Sequence, residues 1–146
     1  MRHSQHPKEL AAIYGGKEYP LLNGVLKIFQ GMHGVIVEVS VVGLPETATN
    51  FFALHIHEGT GCLGEGFLNS GGHFDLGSSD HPRHAGDLPP LLANHGKAYM
   101  KVFTDRFRAE DVIGKTVIIH HDSDDFRSQP SGNAGAKIAC GVILKE

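Results

Sequence analysis

The sequence predicts an all-β fold, an antiparallel β-sandwich or barrel carrying two long loops. Three features point there. Nineteen glycines and seven prolines supply the turns of a chain that reverses often, and the runs between them are rich in β-branched residues. Several of those runs alternate in polarity, so that one face of a strand is apolar. Between them lie two stretches, 58–94 and 121–135, rich in Gly, Pro, Ser and Asp and without strand or helix patterning. No repeat or linker divides the chain, so 1–146 reads as one domain, long enough to bury a core of its own.

Taken in order, residues 1–9 are polar and expected to be flexible. A short strand follows at Leu10–Tyr14, then a turn through Gly15 and Gly16 to Pro20. Gly24–Gln30 and Val35–Leu44 read as strands joined by a hairpin turn over Gly31–Gly34. In the second strand Val35, Val37, Val39 and Val41 share one face, opposite Ile36, Glu38, Ser40 and Val42. That valine face suits a core or an interface equally. Pro45 turns the chain into a strand at Asn50–His57, after which a loop runs from Glu58 to Asn94. Lys97–Thr104 is a further strand, Phe107–Ile113 one helical turn, and Thr116–His120 a short central strand. The second loop, His121–Gly135, leads into a last strand at Ala136–Leu144.

The composition is ordinary, 40% hydrophobic and 20% charged with a net charge of −3, which gives nucleic acid or an anionic membrane little to bind. No apolar run approaches a membrane span, and the first twenty residues hold no signal-peptide core. The chain as given is therefore expected in the cytoplasm, with export to the periplasm as the alternative should a leader have been removed. Cys62 and Cys140 belong to no CxxC pair, so thiolate-zinc and thioredoxin-type sites are not expected. Their spacing fits two free buried thiols or one long-range disulfide.

Eleven histidines are the compositional outlier. Residues 71–87 gather His73, His81, His84 and Asp87 in a segment with no apolar face to bury. Three imidazoles and a carboxylate make a tetrahedral Zn²⁺ set, whose binding would supply ordering free energy that such a loop lacks. The plain alternative is a polar loop with scattered histidines. In His55-Ile56-His57 the imidazoles leave one face of a strand and Ile56 the other, which makes half a metal site. His120 closes the apolar run Val117-Ile118-Ile119, where an imidazole without a partner is costly to bury. Four nitrogens in a flattened arrangement suit Cu²⁺, and a closed His₃Asp set suits Zn²⁺. These six histidines and one aspartate fill both sets only if one imidazole serves two metals.

The blocks Leu54-His55-Ile56-His57-Glu58-Gly59, Cys62, Gly71-Gly72-His73-Phe74-Asp75, His84-Ala85-Gly86-Asp87-Leu88-Pro89, Ile119-His120 with Asp124-Asp125, and 132–143 resemble the copper,zinc superoxide dismutase family. The resemblance covers the chain from about Ala11 and is nearest to the bacterial members. It implies a Greek-key antiparallel β-sandwich, or flattened eight-stranded barrel, with a metal-binding loop and an electrostatic loop. The implied activity is conversion of superoxide to dioxygen and hydrogen peroxide by a Cu(II)/Cu(I) cycle beside a His-bridged structural zinc. At matching positions His55, His57, His73 and His120 would ligate copper, and His73, His81, His84 and Asp87 zinc. His73 would then be both bridge and catalytic group. Asp124 would hydrogen-bond the free nitrogens of His55 and His81. Cys62 and Cys140 would form the family's disulfide, and Lys137 would stand at the copper channel as a catalytic cation that guides superoxide. The implied partner is superoxide itself, met by a monomer or homodimer, without nucleic acid or membrane.

This chain departs from the family at three places. His81-Pro82-Arg83-His84 is a shorter zinc subloop than many relatives have. Lys137 replaces the usual arginine and keeps the charge but not the planar fork. Ser131 replaces a threonine at the channel rim and keeps the hydroxyl. His3, His6, His33, His95 and His121 are not expected to be ligands, and Asp122, Asp125 and Arg127 read as solvated loop charges. The rival from another class is a non-catalytic metal-binding domain on the same sandwich. Retention of every candidate ligand, of Asp124 and of a cation at 137 speaks against it. A zinc hydrolase is weaker still, because a closed ligand set leaves no position for water.

Overall fold

The computed structural model describes residues 5–146. Alternating runs become β1 (Glu9–Gly15), β2 (Asn23–Gln30), β3 (Val35–Val42), β4 (Phe51–His57), β5 (Asp87–Leu92), β6 (Ala98–Thr104), β7 (Thr116–His120) and β8 (Lys137–Val142). They pair antiparallel in the order β5-β4-β7-β8-β1-β2-β3-β6. The β3–β4 and β6–β7 connections cross from one half of that order to the other, a Greek-key arrangement. A two-residue strand, β9 (Leu144–Lys145), returns beside β1. The path stops at β5 and β6, so this eight-strand barrel is nearly closed, with a seam that side chains fill instead of ladder bonds. Leu88, Pro89, Val102 and Phe103 line a cleft of about 340 Å³ there.

Inward residues explain why these runs are strands. Val35, Val37, Val39 and Val41 are all buried and pack with Leu26, Ile28, Phe52 and Val117, so the valine face is core. Each such side chain contributes about 1.5–3 kcal/mol on burial. On β4 and β7 the outward residues are buried as well, because loops cover that side of the barrel. Leu54 and Ile56 face the core, while His55 and His57 lie under the loops beside Ile118 and Thr116 of β7.

Three expectations need correction. Residues 58–94 are not one irregular loop, since they contain a 3-10 turn at Glu65–Ser70 and the whole of β5. Pro89 and Pro90 mask that strand in the sequence, and an edge strand tolerates them because half its N–H groups face no partner. The ladder pairs Phe52 with Leu91 and then Leu54 with Leu88, so the two prolines oppose Ala53 across a bulge. Lys8 and Glu9 are tied down, with Lys8 N–H donating to Ile28 O at 2.8 Å and Glu146 N–H to Lys8 O at 3.0 Å. Residues 1–4 of that segment lie outside the described residues. The last strand ends at Val142, after which Ile143 N–H turns to Lys115 O at 2.9 Å. The helical turn near 107–113 is a 3-10 turn at Ala109–Val112. Among the described residues no helix is long and apolar enough to cross a membrane.

Candidate metal centre

Strand alternation puts His55 and His57 on the covered face of β4, and His120 arrives beside them at the end of β7. His73 joins them from the loop through a bridge pairing with His57. Ligand atoms of His55, His57, His73 and His120 all lie within 4.8 Å of one another. Hydrogen bonds fix which nitrogen of each ring is free. His57 Nδ1–H donates to Gly71 O at 2.7 Å and His120 Nδ1–H to Gly135 O at 3.2 Å, so both Nε2 atoms carry lone pairs. Those two Nε2 atoms stand 3.3 Å apart. Burial holds both rings neutral, lowering His57 to about 2 and His120 to about 3. His55 donates its Nε2–H to Asp124 Oδ2 at 2.8 Å, which leaves its buried Nδ1 without a partner, and His73 Nε2 is likewise buried and unpartnered. Neutral imidazoles presenting free lone pairs to one another form a donor set that a cation fits.

A second set adjoins the first. Ligand atoms of His55, His73, His81 and Asp87 also lie within 4.8 Å of one another. His84 falls outside that mutual set, although its Nδ1 is 2.9 Å from Asp87 Oδ2. Asp87 Oδ1 accepts from His73 Nδ1–H at 2.7 Å, and Asp87 Oδ2 lies 3.1 Å from His81 Nδ1. His81 donates Nε2–H to Asp124 Oδ1 at 2.8 Å, so its lone pair faces a carboxylate oxygen, again a place for a cation. Burial raises Asp87, but the His73 hydrogen bond and the surrounding imidazoles outweigh it and hold the carboxyl below its ordinary range.

Asp124 ties the two sets together across the sequence. Burial alone would raise it, yet hydrogen bonds from His55, His81 and the Phe126 amide bring it down to about 2. Gly132 allows the close packing around this carboxylate. Its φ is +71°, and a Cβ there would press on Asp124 Oδ1 and stand 2.6 Å from His81 Nε2. The carbonyls of Gly71 and Gly135 and the close approach of Gly132 are functional features that residue type alone does not announce.

Cys62 and Cys140 are bonded, with Cα atoms 5.8 Å apart, and fasten the segment before the Glu65–Ser70 turn to β8. Lys137 lies on β8 and donates Nζ to Ser70 Oγ at 2.7 Å and to Gly71 O at 2.9 Å. Gly71 O is therefore shared by Lys137 and His57, and burial lowers the lysine from its ordinary value. Ser131 sits half-buried in the loop before β8. His6, His33, His95 and His121 belong to neither set, and His3 lies outside the described residues. Asp122 is mostly exposed and pairs with His121 at 2.7 Å. Asp125 is more than a solvated charge, since it accepts from the amides of Arg127 and Ser128 at 2.8 Å each and from the Ser128 hydroxyl.

The metal-binding loop also has internal order of its own. Asp75 accepts from the Leu76, Ser79 and Ala85 amides at 2.9–3.0 Å. A metal is thus not the sole source of order there.

A nearly closed barrel with two adjoining sets of imidazole and carboxylate donors on its covered face has the makings of a dinuclear metalloprotein. The family model for copper/zinc superoxide dismutase (SODC) matches residues 22–143. A Cu-Zn superoxide dismutase 2 of Aquifex aeolicus is 33% identical over 135 residues, covering 82% of this chain and 78% of its own. The Cu-Zn enzyme of Deinococcus radiodurans is 35% identical over 131 residues, covering 75% of this chain and 70% of its own. A solved structure of a SOD-like protein from Bacillus subtilis superposes with a TM-score of 0.78 at 26% identity, covering 98% of this chain and 100% of that one. The chain belongs to the copper/zinc superoxide dismutase family. It is an oxidoreductase that converts superoxide to dioxygen and hydrogen peroxide, with copper and zinc as cofactors.

Proposed function

We propose that His55, His57, His73 and His120 hold the copper of this dismutase and that His73, His81, His84 and Asp87 hold its zinc. One observation carries the reading: Nε2 of His57 and of His120 face each other at 3.3 Å while their Nδ1 atoms are committed to carbonyls. Only a cation between such atoms turns repulsion of lone pairs into attraction. His73 offers Nε2 to this set and Nδ1 to the Asp87 set, so one ring serves both.

Bound copper supplies the one-electron couple through which one superoxide gives up an electron and a second accepts it, two protons completing hydrogen peroxide. The chain's own groups do the rest. His73 Nε2, buried and without another hydrogen-bond partner, would hold a proton only while free of copper and give it to the peroxide being formed. Before an ion binds, Asp87 keeps the His73 ring from turning by accepting from Nδ1–H at 2.7 Å, and with zinc in place both groups would ligate it. Asp124 keeps the Nε2–H groups of His55 and His81 donated away from the metals, leaving each Nδ1 free to ligate. Lys137, fixed by Ser70 and Gly71, gives a chain of net charge −3 a local cation that draws in a small anion.

Both ligand sets come from one chain, so the chemistry needs no second copy, whether the protein is a monomer or a homodimer. All strands share one hydrogen-bonded order, which supports a single catalytic domain. The Cys62–Cys140 bond suits an oxidising compartment better than the cytoplasm. The test is metal content and dismutation rate of the loaded protein beside His73→Ala. The parent should hold one copper and one zinc per chain, and the variant should bind both more weakly and lose rapid turnover. Survival of both contents and of the rate in His73→Ala would show that the shared-ligand assignment is wrong.

A further inference from the structure

The zinc subloop 81–84 is short, polar and gripped from outside. Gln129, on the loop between β7 and β8, pairs with His81 at both main-chain groups. Its Oε1 accepts from His81 N–H at 2.9 Å and its Nε2 donates to His81 O at 2.7 Å. The same Nε2 also donates to Arg127 O at 3.2 Å. From the β6–β7 connection, Arg106 Nη1 donates to Pro82 O at 2.7 Å and to His84 O at 3.2 Å. The subloop's own bonds are fewer: Arg83 N–H to Asp80 O at 2.7 Å, His84 N–H to Asp87 Oδ2 at 2.9 Å and Asp87 N–H to His84 O at 3.1 Å.

Arg106 and Gln129 are both exposed, so neither is held in place by what it buries. Each instead directs polar atoms at the backbone on which two proposed zinc ligands are mounted. Without such contacts the subloop would have to be ordered at the moment of binding, and the affinity of the finished site would fall by that amount. We infer that Arg106 and Gln129 are positioning residues that preorganise the zinc half of the centre, holding His81 and His84 at Asp87 before the ion arrives. This rests on the ligand assignment proposed above.

Charge makes the inference sharply testable. Arg106→Ala removes a positive charge near a dication site, and Gln129→Glu adds a negative one while keeping an acceptor for His81 N–H. Simple electrostatics makes both variants bind zinc more tightly. Positioning makes both bind more weakly, by about tenfold or more, the usual effect of losing a group that orients a ligand.

The experiment uses the full chain with Zn²⁺ in competition with a colorimetric chelator. Ligand-field absorption of Co²⁺ in the same site reports geometry, and the melting temperature of the metal-free form is measured alongside. Arg127→Ala, on the Gln129 loop, loses the same charge as Arg106→Ala without a subloop contact, and should bind zinc like the parent or slightly more tightly. Arg106→Lys retains the charge and one donor and should fall between parent and alanine variant, which keeps the test readable should the alanine variant not fold. Weaker zinc binding and an altered Co²⁺ spectrum in Arg106→Ala and Gln129→Glu are the expected results. Zinc affinity equal to or above the parent's in those two, even with a lowered metal-free melting temperature, overturns the inference. His84→Ala separates the two levels: if it binds zinc as the parent does, the ligand assignment fails and takes this inference with it.

Discussion

Removing the Cys62–Cys140 crosslink, most simply as Cys62→Ala/Cys140→Ala, should destabilise the metal-free protein through its unfolded state. The two residues are separated by 78 positions, and chain-entropy arithmetic for a loop of that size gives about 4.5 kcal/mol at 25 °C. With an unfolding entropy of about 2.1 cal/mol/K per residue, a chain of 146 residues should melt about 15 °C lower. The assay is thermal and urea unfolding in a metal chelator, comparing the parent, the double variant and the parent under strong reductant. Because the unlinked chain expands further when denatured, the urea slope m should rise as the midpoint falls. Reduced parent and double variant should agree to within a few degrees, since both lack the link and only one lacks the sulfurs. A melting temperature unchanged by removal of the link would refute the reasoning outright. A fall in stability with m unchanged would also refute it, because the loss would then lie in folded-state contacts at Cys140.

Lys137→Arg should equal or exceed the parent's dismutation rate at low ionic strength and matched copper content, Lys137→Ala should be slower and Lys137→Glu slower still, with salt dependence flattening in the alanine variant. Equal rates in all three would remove the steering role. Glu9 is buried in β1 with Oε2 unpartnered, and burial raises its carboxyl above the ordinary 4.5. Its folded form therefore favours the proton, so stability is fully present below the ordinary value and declines as pH rises through it toward the raised one. Glu9→Gln, which cannot ionise, should flatten that decline in pH-dependent urea midpoints. Gly132→Ala should cost about 1–3 kcal/mol from the left-handed backbone alone and weaken metal binding in chelator titrations, as the new methyl displaces Asp124 or His81.

Strands whose stability comes from filling one face were legible in the sequence. Val35, Val37, Val39 and Val41 alternate because each points into the barrel, and the pattern is the cause of the strand. β5 hides because its determinants lie elsewhere: Leu88 and Leu91 face the core, but the intervening prolines break both alternation and ladder, and only β4 makes this stretch a strand. The same division runs through the centre. His55 and His57 are recognisable as a pair because strand geometry is local, whereas the relation of His55 to His81 runs through Asp124 at sequence separations of 69 and 43 and is visible only through the family resemblance. Gln129 lies 48 residues from His81, and Arg106 lies 24 and 22 residues from its partners Pro82 and His84. Exposed polar side chains at such separations carry no pattern that sequence can display, because what they recognise is another segment's backbone.

The proline pair of β5 has a consequence for molecules that meet. A barrel left open along one seam presents a raw strand margin, the usual template on which a second copy's strand adds and polymers grow. Two of the six residues of β5 have no N–H to offer an incoming strand, and the bulge opposite them bends the margin out of a flat line. The β5 margin of the seam, beside the zinc segment, is therefore a poor template for a second copy's strand.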